Sequence, residues 1–134
     1  MNRVTVKTGL SYENPAALDA AVEAIFADSE HAATLGAASR VLLKPNLLAK
    51  HRPEEAVTTH PAVVAAVIGA LRRRGVQDIT LADSSGGIYT AGSMRAIYKA
   101  SGLTEVCNEL DVRLWEDTTS GTRAVDGVRN KEFQ

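Results

Sequence analysis

The sequence of 134 residues has a single cysteine, no surplus of either charge and no long apolar run. Cys107 alone closes no internal disulfide and cannot by itself hold an iron–sulfur cluster, which normally takes about four ligands. The 15 basic and 16 acidic residues leave a formal charge of −1 with no basic block, so no general affinity for nucleic acid is expected. No stretch approaches the roughly 18 apolar residues of a membrane span, and the opening "MNRVTVKTGL" lacks the basic flank and apolar core of a signal peptide. A cytoplasmic protein without membrane association is the expectation. Nucleophile elbow, ordered catalytic triad and H-E-x-x-H helix are all missing, and there is neither an internal repeat nor a low-complexity tract.

What the chain does have is 45% apolar content over about one domain's length. Residues 3–7 alternate polar and β-branched apolar side chains and predict a first strand. Asn14 followed by Pro15 predicts a capped helix start, with Leu18, Val22, Ile25 and Phe26 on one apolar face. A second strand is expected over 40–44, where Val41, Leu42 and Leu43 are contiguous, as in a strand covered on both faces by helices. Pro61 opens a helix carrying Val63, Val64, Val67, Ile68 and Leu71 on one side. Arg72, Arg73 and Arg74 suit its negative end, and Gly75 its stop. Residues 76–82 predict a third strand and 92–100 a helix, Leu103 to Leu110 a short helix with Cys107 inward, and 111–115 a fourth strand. The fold class is therefore α/β, three-layered, with a mostly parallel sheet and crossover helices. The domain is expected over 1–116, followed by a polar tail over 117–134.

In open α/β sheets ligands gather at the carboxyl ends of the strands, where Lys44 and Asp83 both fall. Asp83, Ser84, Ser85, Gly86 and Gly87 combine hydroxyls with unhindered backbone donors ahead of a helix, a set suited to a phosphate or carboxylate. The third glycine of a dinucleotide fingerprint and the lysine of a P-loop are absent, so an ordinary strand-to-helix turn is the competing reading. In "VLLKPNLL" a buried strand ends on Lys44, and Pro45 removes the next ladder donor so that Asn46 can begin a turn. Lys44 either meets an acidic ligand or closes the sheet edge in an ion pair with Asp83. Thr58, Thr59 and His60 bring two hydroxyls and an imidazole to a helix start, where capping competes with ligand binding. The spacing of His51, Glu54, Glu55 and His60 matches no metal-ligand pattern, and no metal is expected.

Three linked motifs, "VLLKPNLL", "AVTTHPAVVAAVIGALRRRG" and "ITLADSSGG", resemble in order and spacing the N-terminal half of DUF362, a domain of unknown function, from about Arg40 to Gly87. The resemblance implies an incomplete, truncated domain. It also implies an association with iron–sulfur redox or electron-transfer work, because longer relatives often continue into a segment binding [4Fe–4S] clusters. No cofactor is expected within this chain. The matching positions are Lys44, Pro45, Asn46, Thr58 to Pro61 and Asp83 to Gly87.

The leading expectation is a domain that binds a small acidic or phosphate-bearing molecule through Lys44, Asn46, Thr58, Thr59, His60 and the loop from Asp83 to Gly87. One alternative is an interaction module, a homodimer or a partner chain docking at the open sheet edge. The other is a hydrolase or transferase with Asp83 or His60 as base.

Overall fold

The computed structural model describes residues 4–119, and all that follows concerns these residues. The elements run α1 (Pro15–Ala27), β1 (Arg40–Leu43), α2 (Pro61–Arg73), β2 (Asp78–Leu81), α3 (Ala91–Ala100), α4 (Leu103–Glu109) and β3 (Arg113–Leu114), with 3-10 turns at Ala32–Thr34 and Pro53–Glu55. The three strands form one parallel sheet in the order β1-β2-β3. The α/β class and the parallel sheet are as expected.

Local chemistry accounts for the helix ends. The Asn14 side chain accepts the Ala17 N–H at the start of α1, and Pro15 and Pro61 occupy first-turn positions where a missing N–H costs nothing. Helix α2 stops because Gly75 adopts φ 85°, a left-handed conformation that a side chain disfavours. The arginines of its last turn do more than suit the dipole. Arg73 and Arg74 tie α2 to Glu23 of α1, at 3.0 and 2.6 Å. Arg72 donates to the carbonyls of Val76, Gln77, Leu110 and Asp111, joining the start of β2 to the turn before β3.

The core lies on one side of the sheet. Ile79 and Leu81 point into it, with Val64, Ile68 and Leu71 of α2, Met94, Ile97 and Tyr98 of α3, and Leu103 and Cys107 of α4. As the sequence implied, Cys107 is a buried small hydrophobe, and burial pushes its thiol pKa up to about 11.

Two expectations are corrected. Residues 4–7 form no strand: Val4 and Val6 are 87% and 74% exposed and pair with no strand among the described residues. An alternating segment becomes a strand only where a ladder edge receives it, so the pattern alone was insufficient. The run Val41-Leu42-Leu43 is not covered on both faces either. Leu42 is 65% exposed, and with Arg40, Asp78, Thr80, Ala82, Arg113 and Trp115 it lines a shallow open trough of about 520 Å3. Topology supplies the reason. Strands laid down in sequential order by crossovers of one hand carry their helices to the same face. Among the described residues the helices thus add one layer to the sheet, and the third expected layer is not among them. The expected tail over 117–134 falls largely on residues 120–134, outside the described residues.

Candidate functional site

The carboxyl ends of β1 and β2 feed two loops, 44–60 and 82–90, that are bonded to each other at several points. The Lys44 ammonium lies 2.5 Å from Oδ1 of Asp83. The other Asp83 oxygen accepts the Leu47 N–H at 3.1 Å. Leu47 is fully buried, so the carboxylate anchors the loop where Pro45 has ended the ladder. Farther out, the Gly86 N–H donates to the Leu48 carbonyl at 2.9 Å. Leu48 holds φ 42°, a left-handed conformation that costs a branched residue energy and persists only where neighbours enforce it. From α3 the Tyr98 hydroxyl accepts the Asp83 N–H at 3.0 Å, and burial holds its phenol above the usual pKa.

The Thr58-Thr59-His60 turn joins the same assembly through Asn46. The Asn46 N–H donates to Thr59 Oγ1 and its carbonyl accepts the Thr59 N–H, both at 2.9 Å. Thr58 is 9% exposed and its hydroxyl has no partner among the described residues. His60 is the cap of α2: its Nδ1 accepts the Ala62 N–H at 3.2 Å. Its ring stacks on Tyr12, with centroids 3.8 Å apart and planes 2° from parallel. Capping, the reading that competed with ligand binding, is what this imidazole does.

The loop from Asp83 to Gly87 leads to α3 through Ile88, Tyr89 and Thr90, and Thr90 caps that helix, its hydroxyl accepting the Ser93 N–H. The donors of the loop therefore stand apart from the first turn of that helix. Ser84 is exposed, Gly86 spends its N–H on Leu48, and Gly87 is exposed. Ser85 differs from them, because its Oγ is buried with no hydrogen-bond partner among the described residues. Such a group costs about 1–3 kcal/mol until something bonds to it.

Two cavities of about 170 Å3 each open at this end of the sheet. One is lined by Lys44, Thr59 and the apolar Leu43, Pro45 and α2 valines. The other is lined by Lys50, Ser85, Gly87 and Ser93 together with the apolar Leu48, Ile88, Ala96 and Ile97. The expected site residues are thus brought to one end of the molecule, yet Lys44 and Thr59 line one cavity, Ser85 and Gly87 the other, and the rest line neither. Lys50 and Ser93 escaped the sequence reading, because a lysine in a polar loop and a serine in a first helical turn carry no pattern of their own. His51 bonds Glu55 at 2.9 Å, and among the described residues no three His, Cys, Asp or Glu side chains gather as a metal site would require.

The family model for DUF362, a domain of unknown function, matches residues 41–134. The chain belongs to that family. The match begins in β1, so α1 and the segment before it lie outside. No curated protein and no solved structure shows significant similarity to the chain. No helix among the described residues is long and apolar enough to cross a membrane.

Proposed function

We propose that this DUF362 domain binds a small acidic molecule, carrying a carboxylate or a phosphate, at the carboxyl ends of β1 and β2. The observation that carries this reading is the Ser85 hydroxyl, buried without a partner on a loop that meets an exposed lysine from the facing loop. A hydroxyl kept unbonded at a cavity wall is a donor available to a ligand. The Lys44–Asp83 pair braces the two loops, and the Thr58 hydroxyl is a second unmet group beside them. Iron–sulfur redox chemistry belongs to this reading only through groups outside the chain, since the buried, protonated Cys107 is unsuited to ligating a cluster.

A thermal-shift screen with inorganic phosphate, short carboxylates and nucleotides tests the proposal. A stabilising anion is expected, with the shift lost in Ser85→Ala. Absence of any shift at millimolar concentration would reject it.

The bare sheet face favours a second reading, docking of a partner chain. Parallel sheets are almost always covered on both sides, and Leu42 and Trp115 are 65% and 40% exposed on this one. Leu42→Asp that abolishes a concentration-dependent association in light scattering would support it. A strictly monomeric chain with no partner would not. The base reading of Asp83 or His60 finds no support in the geometry: both Asp83 oxygens are engaged, and His60 Nδ1 caps a helix.

A further inference from the structure

The cavity between the 44–60 loop and α3 has a mixed chemistry that the acidic-ligand reading does not itself specify. Its polar lining consists of Lys50, Ser85, Ser93 and the open backbone of Gly87. Lys50 is exposed, and neither its ammonium nor the Ser93 hydroxyl meets a partner among the described residues. Lys44, by contrast, is already neutralised by Asp83. The rest of the lining is apolar and includes Leu48, Ile88, Ala96 and Ile97. Leu48 is held there in its left-handed conformation by the Gly86 N–H bond.

We infer that this cavity seats a short-chain aliphatic carboxylate, its head group between Lys50, Ser93 and Ser85 and its alkyl arm against Leu48, Ile88 and Ile97. The inference rests on the acidic-ligand reading and narrows it. One cation with two hydroxyls matches a single negative charge, whereas a phosphate dianion would call for a second cation. A volume of about 170 Å3 admits only a small molecule, well below the roughly 300 Å3 at which drug-sized sites begin. Rotation about the Ser85 Cα–Cβ bond turns its hydroxyl from its unbonded position to the carboxylate, which supplies the missing acceptor.

Amide chemical-shift titration of the purified chain with butyrate, acetate and inorganic phosphate provides the test. Butyrate is expected to bind about tenfold more tightly than acetate, because its extra methylenes meet the apolar wall. Lys50→Ala is expected to weaken butyrate about tenfold, while Lys50→Arg retains most of the affinity. Ala96→Leu, which fills the cavity from an exposed position, should abolish binding in a chain that melts as before. Equal affinity for acetate and butyrate, preference for phosphate, or indifference to Lys50→Ala would overturn the inference. If an anion still binds and its affinity depends on Lys44 but not on Lys50, the wider reading stands and this one fails. If none of the three anions binds, this inference fails, and the wider reading fails with it only when the nucleotides and other carboxylates of the thermal-shift screen give no shift either.

Discussion

The Lys44 ammonium and the Asp83 carboxylate meet at 2.5 Å, although the first side chain is 69% exposed and the second 2%. The lysine is the water-facing partner of a buried anion, and the energetic consequences of removing either one differ accordingly. An exposed ammonium that loses its partner is simply solvated. A buried carboxylate that loses its cation keeps one N–H, from Leu47, against a large desolvation cost.

Lys44→Met should therefore destabilise the domain by about 2 kcal/mol, between the value of an exposed pair and that of a buried one. Adding Asp83→Asn to Lys44→Met should recover part of the loss at neutral pH, since the amide oxygen still accepts the Leu47 N–H. Urea midpoints of the two single variants and the double variant decide this. A double-variant loss equal to the sum of the two single losses would mean that the pair is not a coupled unit.

Arg72 is the other joint of the fold. Its guanidinium reaches four carbonyls, of Val76, Gln77, Leu110 and Asp111, at 2.7–3.3 Å. Asp111 itself holds φ 50°, so the arginine pins a turn that the backbone alone disfavours. Arg72→Ala should cost about 3 kcal/mol in denaturant unfolding, and Arg72→Lys should recover less than half, because an ammonium cannot fork across two turns.

Stability should fall away at both ends of the pH range, for different reasons. Glu23 is held below the ordinary carboxylate value of 4.5 by hydrogen bonds from Arg74 and Arg73, and Glu55 by its bonds to His51 and the Arg52 N–H. A depressed carboxyl favours the folded state above its unfolded pKa, and that contribution disappears as pH drops through the folded one. Glu23→Gln should flatten the acid limb of a Tm profile. At the alkaline end the buried Cys107 thiol is raised from 9.0 to about 11, so its contribution is complete below pH 9 and lost on rising toward 11. Native protein at pH 8 should leave Cys107 unreactive to a thiol reagent until it is unfolded.

These joints also show where the sequence was readable. Asn14-Pro15, Pro61 and Gly75 marked helix ends because each acts through its own backbone or side chain. The three sheet strands fell within the apolar runs assigned to them. Coverage was another matter. Val4 and Val6 have the strand pattern but join no edge among the described residues, and Leu42 has the composition of a buried position but lies on the face that the described helices leave bare. Both depend on distant chain, which local pattern does not encode. The same holds at the site. Lys44 and Asp83 were predictable neighbours because parallel strands bring their ends level. The separate cavity of Lys50 and Ser93 depends on how the 44–60 loop folds back over α3.

Leu48 offers the sharpest test of that loop. Its φ of 42° lies where glycine is at ease and leucine is not, and its side chain, 54% exposed, gains little from packing. Leu48→Gly should relieve about 1 kcal/mol of backbone strain. Against this stands the greater freedom glycine has in the unfolded chain, about 0.5–1 kcal/mol. The stability change should therefore be near zero, where an exposed leucine in an ordinary conformation would lose stability on the same exchange. The apolar wall of the Lys50 cavity would recede at the same time, so butyrate should weaken toward the affinity of acetate while the melting temperature stays put. A leucine retained at a strained, half-exposed position with no stability to show for it is explained by what its side chain does for a ligand. A clear loss of stability in Leu48→Gly would return it to a purely structural role.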